Sequence, residues 1–224
     1  MDTFHIPDPR SRENGLRYFK LFIPYFQNCR AVLDVASGQG HSLELFKEAR
    51  INATGVEFDR GLCELSRGKG LQVVHDNFFS YLPTVSPEMF DGALVSHIVE
   101  HLTPPQVEEL LKLIWRAAIP GAVLVIVTPN MANLRRAVGD FWRDPTHVRP
   151  YPIQALDKLL KRNGWEMVSS GEHTKRPPSL GRDLLYAVRN FFLGKYWVKD
   201  DVFVVARRLK GSPVEAEQKP TKAN

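Results

Sequence analysis

Short apolar runs alternate with amphipathic stretches along most of the chain, and this alternation predicts strands separated by helices. Seven runs have the length and β-branched content of strands: Ala31–Val35, Ala53–Glu57, Leu71–Val74, Asp91–Ser96, Ala122–Thr128, Trp165–Ser170 and Asp201–Arg207. Three of the intervening helices have readable ends. Asp59 caps one that runs to Gly68. Thr103 caps the next, with Pro104 at its first position and Gln106 completing a capping box. Val107, Leu110, Leu111, Ile114 and Ala118 then recur on one face of that helix. Pro152 opens the third, Ile153, Leu156, Leu159 and Leu160 face inward, and Asn163-Gly164 stops it. The predicted class is α/β, a parallel sheet covered by helices.

Several segments fall outside the alternation. Ser11 to Gln27 is aromatic, with Tyr18, Phe19, Phe22 and Phe26, and is interrupted by Pro24; residues 1–30 are read as an N-terminal helical lid. Asn130 to Tyr151 is a long excursion after the fifth strand, the candidate substrate loop. His173 to Lys199 is a basic insert before the last strand, and residues 210–224 read as a disordered tail. Residues 31–209 form the main domain.

Composition narrows the class. A chain of 224 residues that is 43% apolar can build one ordinary core, which excludes disorder for most of it. Cys29 and Cys63 are too few for a disulfide scaffold, which suits a reducing interior. Met1 to Asn14 lacks the apolar core of a secretory leader, and the longest all-apolar run, Ala122 to Val127, is far short of a membrane span. The expectation is a soluble, cytoplasmic protein. The net charge of +5 is uneven: residues 1–174 are near neutral, whereas Lys175 to Lys199 carries six basic residues against Asp183 alone. No basic stripe flanks the candidate site, so no nucleic-acid partner is expected.

The candidate chemistry starts at the first strand, where Val32 to Gly40 reads V-L-D-V-A-S-G-Q-G. Gly38 and Gly40 let the backbone approach a ligand at the strand–helix turn. A dinucleotide fingerprint needs a third glycine where Leu43 stands, which argues against a nicotinamide-dependent oxidoreductase. Asp34, just before the turn, would repel a pyrophosphate and attract an ammonium or sulfonium group. Glu57 ends the second strand, where a carboxylate can accept both hydroxyls of a ribose. Asp76, past the third strand, can accept from the exocyclic amine of adenine. Each acid alone suits a turn or a solvated strand end. Three at consecutive strand ends, on the edge where such sheets bind ligands, point to one site.

These residues resemble the class I S-adenosylmethionine-dependent methyltransferases. The family loop D/E-x-G-x-G-x-G matches at Asp34, Gly38 and Gly40, with Ala36 at the first glycine, and the likeness extends through Glu57, Asp76 and the F-D-G-A-L-V-S-H run from Phe90 to His97. The resemblance implies a Rossmann-like, doubly wound, seven-stranded, mostly parallel sheet whose last strand is antiparallel and enters between the fifth and sixth. It implies S-adenosyl-L-methionine as cofactor, held by Asp34, Ala36, Gly38, Gly40, Glu57 and Asp76 with the neighbours Phe58 and Asn77. Ser96 and His97 would line its methionine half.

His97, Glu100 and His101 spell H-x-x-E-H, a pattern shared with one class of zinc peptidases. Thr103-Pro104-Pro105 starts a new helix immediately afterwards, which denies the sustained helix that a peptidase needs. The run also resembles the E-x-x-E-H that holds a divalent cation in ubiquinone-biosynthesis O-methyltransferases, with His97 at the first Glu. A hard Mg²⁺ prefers oxygen there. The favoured reading is local hydrogen bonding at the cofactor rim, with no metal.

Phe141, Trp142, Asp144, His147, Arg149 and Tyr151 lie within eleven residues of the excursion. Asp144 could pin His147 in the tautomer that accepts a proton, with His101 the other candidate base. Trp142 and Tyr151 could stack on a flat or sugar-like face, and Arg149 could clamp a carboxylate or phosphate. The bland alternative is an Asx turn with a packed Trp. The T-P-N of Thr128–Asn130 with D-P-T-H-x-R-P resembles a methyltransferase group associated with bacterial surface-polysaccharide synthesis, which implies a small-molecule or glycan acceptor. In the basic insert, Leu180, Leu184, Leu185, Val188, Phe191 and Phe192 share a helical face. Such a face commonly packs on its own domain; residues 180–199 could instead touch an anionic membrane surface. The predicted activity is methyl transfer, with O-methylation favoured. The competitor is a non-catalytic, cofactor-binding scaffold on the same fold.

Overall fold

The structure is a computed structural model, and it describes residues 9–134, 136–173, 181, 184, 188, 191 and 199–211. A seven-stranded sheet with strand order β3-β2-β1-β4-β5-β7-β6 runs through the molecule. The strands are β1 (Ala31–Val35), β2 (Asn52–Glu57), β3 (Val73–His75), β4 (Phe90–Ser96), β5 (Ala118–Pro129), β6 (Trp165–His173) and β7 (Asp201–Arg208). Strands β1 to β5 pair in parallel, and β7 pairs antiparallel with both β5 and β6. This is the expected insertion of the last strand between the fifth and sixth. β5 starts four residues before its predicted first residue, because Ala118 pairs with Phe90 ahead of a register shift at Gly92.

The helices that cover the sheet follow from their caps and faces. α1 (Pro9–Phe19), α2 (His41–Glu48) and α3 (Arg60–Gly68) lie on one face; α4 (Phe78–Tyr81), α5 (Pro104–Ala117) and α6 (Ile153–Arg162) lie on the other. Asp59 accepts from the Leu62 N–H at 2.9 Å, and Gln106 accepts from the Thr103 N–H at 2.9 Å, as the capping signals predict. β1 is sealed on both sides: Leu33 and Val35 pack with Val107, Leu110 and Ile114, whereas Val32 packs with Phe22, Phe26 and Phe46.

The N-terminal segment packs on this sheet: Tyr18, Phe22 and Phe26 are buried with β1, β4 and β5 residues and complete the core on that face. Gly15 makes its approach close: a Cβ there would lie 2.2 Å from the His41 ring. Arg12 and Lys69 both bond Glu44, which fastens α1 to α2. Burial alone would raise the Glu44 carboxyl, but these two cations hold it below its ordinary value. Cys29 and Cys63 are free thiols. No helix among the described residues is long and apolar enough to cross a membrane. The proposed apolar face of the insert falls largely outside the described residues. Leu184, Val188 and Phe191, which are described, are exposed.

Candidate active site

The carboxyl ends of β1, β2, β3 and β4 meet at one edge, and the turn after β1 shapes it. Asp34 is completely buried, and its Oδ2 accepts from the Ser42 hydroxyl. Burial, reinforced by the charge on Glu57 and opposed by the Ser42 bond, pushes the Asp34 carboxyl up to about 7. Ala36 has φ +56°, Gly38 +54° and Gly40 +75°. Ala36 therefore holds a left-handed conformation that costs an L-residue roughly 1–2 kcal/mol. The two glycines serve different ends. A Cβ on Gly40 would press on Leu71 and Ser66 at 2.8 Å, whereas a Cβ on Gly38 would meet nothing within 4 Å. The Gly38 backbone thus borders open space.

Glu57 fixes that turn. Its Oε2 accepts from the Gly38 N–H at 2.7 Å and its Oε1 from the Asp59 N–H at 2.9 Å. Each oxygen keeps another lone pair, so a vicinal diol can still donate to both. Phe58, beside it, is 73% exposed and offers a ring face. Asp76 is half-buried, and its N–H donates to the Glu57 carbonyl at 3.1 Å, placing the two acids side by side. The Asn77 side chain caps α4 by accepting from the Phe79 N–H at 2.8 Å. At the end of β4, the Ser96 Oγ is buried with no hydrogen-bond partner among the described residues. An open glycine turn, a buried acid, a strand-end carboxylate and an orphan hydroxyl fit an S-adenosylmethionine molecule laid along this edge.

The adjoining half is built by β4, β5, β7, α1 and the 130–151 excursion. His97 follows β4 with φ +55°, a strained conformation for a bulky residue and one that clusters at functional sites. Its Nδ1 lies 3.0 Å from Glu100 Oε1 and its Nε2 lies 2.9 Å from the Tyr18 hydroxyl. Tyr18 donates to Asp201 Oδ2 at 3.0 Å, and Thr128 donates to Glu100 Oε2 at 3.0 Å. Burial, then the charge on Asp201, raises the Tyr18 phenol well above its usual range, so it stays a donor. Arg136, from the excursion, reaches Asp201 at 3.7 Å.

Val99–His101 forms a single 3₁₀ turn, and α5 begins at Pro104, so H-x-x-E-H is not on a helix. The excursion folds back on this turn: the Glu100 carbonyl accepts from the Val148 N–H at 2.8 Å and the Arg149 N–H at 3.3 Å. His101 and His147 come together, with ring centroids 4.7 Å apart. The expected Asp144–His147 pin is not made. Asp144 Oδ2 is 4.0 Å from His147 Nε2, while His147 Nδ1 donates to the Phe141 carbonyl at 2.6 Å and its ring stacks on Phe141. Asp144 Oδ1 instead accepts from the Thr146 N–H at 2.9 Å and hydroxyl at 2.6 Å, bonds that hold its carboxyl below the ordinary value.

Tyr151 also departs from expectation: it is fully buried, with its hydroxyl donating to the Leu102 carbonyl at 2.8 Å, so it cannot stack on an acceptor. Trp142 is 58% exposed with its Nε1 donating to the Ala137 carbonyl, and Arg149 is exposed on the same excursion. Tyr18, Arg136 and Asp201 are not legible as site residues, and Thr128 and Thr146 enter the sequence reading only as letters of the T-P-N and D-P-T-H motifs. The contacts of these five span from 2 to 183 positions of chain.

The comparisons agree with this geometry. A "SAM dependent methyltransferase" from Archaeoglobus fulgidus is 27% identical with TM-score 0.72, covering 88% of this chain and 95% of that one. An "S-adenosylmethionine dependent methyltransferase" from Mesorhizobium loti is 16% identical with TM-score 0.63, covering 87% of this chain and 98% of that one. The "[4+2]-Cyclase SpnF" is 19% identical with TM-score 0.61, covering 86% and 81% respectively. No curated protein matches the sequence closely enough to count as a relative. The sequence profile described as "Methyltransferase domain" matches residues 10–170, which takes in the glycine turn, all three strand-end acids and the His101–His147 cluster. The chain therefore belongs to this methyltransferase-domain family, with the class I fold and S-adenosylmethionine as its cofactor.

Proposed function

We propose that the protein transfers a methyl group from S-adenosylmethionine to an oxygen of a small or carrier-linked acceptor, with glycans and glycan phosphates the first class to test. The observation that carries this reading is the division of one sheet edge into an acid-lined cofactor half and an imidazole-lined half. The cofactor supplies an electrophilic methyl carbon. Asp34 would face its cationic end, Glu57 its ribose and Asp76 its adenine, with Phe58 against the ring and Ser96 near the methionine portion.

The acceptor half supplies proton acceptors. His147 Nδ1 donates to a carbonyl, so its Nε2 carries the lone pair. The Thr146 hydroxyl has one proton and spends it on Asp144, so it accepts from His101 Nδ1 at 2.8 Å. His101 Nε2 is then also a lone-pair atom. Asp144 orients His101 through Thr146, and either imidazole can take the proton of an acceptor hydroxyl. Arg149 and Trp142 on the exposed rim suit an anionic and a flat group respectively. In-line displacement then needs mainly positioning and exclusion of water.

Calorimetric titration with S-adenosylmethionine, with NAD as control, is the founding test. Micromolar binding of the former alone supports the reading and leads to an acceptor screen with sugars and glycan phosphates. Binding of NAD, or of neither, overturns it. A role other than methyl transfer, such as a non-catalytic cofactor-binding scaffold, is the second reading, because the same fold also occurs in a [4+2]-cyclase. It expects cofactor affinity with no methyl product from any acceptor.

A further inference from the structure

The junction between the cofactor and imidazole halves holds a cation that neither half uses. Arg136 lies in the single helical turn Arg136–Asp140 of the excursion. That turn is inverted for a packing element, because Val138 is 73% exposed while the Arg136 side chain is only 23% exposed. We infer that Arg136 forms a binding subsite for an oxyanion, a phosphate or carboxylate carried by the acceptor. That the anion belongs to a methyl acceptor rests on the methyl-transfer reading; the anion site itself does not.

The unspent donors of the guanidinium carry the inference. A guanidinium has five N–H donors in a fixed fork that matches the oxygens of phosphate and carboxylate. Among the described residues none of the five makes a hydrogen bond. The one ion pair, to Asp201 Oδ1, is 3.7 Å long and lies beyond hydrogen-bond distance. A mostly covered cation ordinarily spends its donors on protein acceptors, because leaving them unmade is costly. The Arg136 nitrogens remain reachable from solvent, so a ligand can take that place.

Asp201 aims the fork without consuming it. It is fully buried at the start of β7, opposite Pro129 at the carboxyl end of β5, and accepts from the Tyr18 hydroxyl at 3.0 Å. Its charge, with that of buried Glu100, would repel an incoming anion, and His97 offsets this. The Tyr18 hydroxyl gives its proton to Asp201, so its oxygen accepts from His97 Nε2 at 2.9 Å. His97 Nδ1 faces Glu100 Oε1 at 3.0 Å, while the Thr128 hydroxyl donates to Oε2. A ring with an acceptor at each nitrogen carries two protons and is an imidazolium. The acids Glu100 and Asp201 are thereby matched by the cations His97 and Arg136, and these four groups present no net negative charge.

The position suits an acceptor group. His97 directly follows Ser96 of the methionine half, and it is bonded on its other side to Glu100, the neighbour of His101. Arg136 joins this chain through Asp201, so an anion held by its fork sits where the two halves adjoin. Arg149 stays on the exposed rim as a second, outer guanidinium, and two forks suit the double charge of a phosphate. A neutral acceptor would leave the inner fork unpaired.

The test uses the full chain, titrated by calorimetry with inorganic phosphate, glucose 1-phosphate and glucose. Each anion should bind with one equivalent, and glucose at least about tenfold more weakly than glucose 1-phosphate, the effect of one hydrogen bond to a charged group. Arg136→Gln should weaken both anions at least about tenfold for the same reason. Arg136→Lys keeps the charge but loses the fork, and should recover only part of the affinity. Arg143→Gln removes an exposed arginine of the same excursion and should bind both anions like the parent. Adding phosphate to the parent should also shift the His97 ring resonances. Absence of anion binding by the parent overturns the proposal, as does binding undiminished in Arg136→Gln or lost equally in Arg143→Gln. If Arg136→Gln fails to fold, unmoved His97 resonances overturn it. The cofactor's own carboxylate is the other source of this chemistry, so S-adenosylmethionine and its decarboxylated form are titrated into the same proteins. A loss in Arg136→Gln seen with the first and not the second gives Arg136 to the cofactor and overturns the acceptor subsite. A parent that binds the anions but not S-adenosylmethionine keeps the anion site and overturns the methyl-transfer reading alone.

Discussion

Lowering the pH from 7.5 to 5.5 should weaken S-adenosylmethionine binding, and Asp34 sets the size of the effect. Its carboxyl is raised from an ordinary 3.8 to about 7, first by burial and then by the charge on Glu57, against the favourable Ser42 bond. A cationic ligand group stabilises the ionised carboxylate, so binding expels the proton that Asp34 holds below pH 7. Affinity should therefore fall roughly tenfold per pH unit below about 7 and level off above it. At pH 6 about 0.9 proton should leave per cofactor bound, read by calorimetry in two buffers of different ionisation enthalpy. Below about pH 7 the cofactor's own amino group stays protonated, so the slope there belongs to Asp34.

The unliganded protein should show the opposite dependence. A carboxyl raised on folding contributes stability that is complete below about pH 4 and lost as pH rises through about 7. The full change is on the order of 4 kcal/mol for a shift of this size. Asp34→Asn should bind the cofactor weakly at every pH, with a flat profile, and should lose less stability than the parent between pH 4 and 8. A flat affinity profile in the parent, or the same slope in Asp34→Asn, would refute the assignment of Asp34 to the cationic end.

Three further substitutions probe the same edge. Ala36→Gly relieves the left-handed strain at φ +56° and should stabilise the fold by about 1 kcal/mol, raising Tm by roughly 2–4 °C; an unchanged or lower Tm would show that the turn is not strained. Glu57→Ala should cost about 1.5–3 kcal/mol of cofactor affinity, the range for hydrogen bonds to a charged group. Unchanged affinity would end the ribose assignment. Tyr18→Phe removes the donor to buried Asp201 and should cost about 1–3 kcal/mol by denaturant titration. A loss below about 0.5 kcal/mol would mean that Asp201 is satisfied without it.

The sheet was legible because each of its rules is local. All seven strands were read from short apolar runs, β3 with its start two residues early, and α3, α5 and α6 from the capping chemistry of Asp59, Thr103 and Pro152. The cofactor half was legible for a related reason. Asp34, Glu57 and Asp76 each end a strand, so finding the strands places the acids on one edge before any tertiary contact is known. The N-terminal aromatics were harder. Tyr18, Phe22 and Phe26 carry the spacing of an apolar face, but periodicity does not say whether that face meets the domain core or a neighbouring segment.

The acceptor half shows where sequence reasoning stops. Asp144 and His147 stand three apart, which invites pairing them, yet the turn decides otherwise. Asp144 Oδ1 captures the N–H and hydroxyl of Thr146, two residues on, which is the local bond that Asp favours in turns. The His147 ring is drawn inward by Phe141 and finds a carbonyl there. The carboxylate then acts on the other imidazole, because Thr146 can donate to Asp144 only by accepting from His101, 45 positions earlier. A single hydroxyl proton thus determines which nitrogen of His101 is left bare. Thr146, an ordinary loop residue by sequence, fixes the chemistry of a histidine it does not adjoin. Replacing it by Val should change the tautomer of His101 while leaving that of His147 alone, a difference that ring-nitrogen NMR shifts read directly.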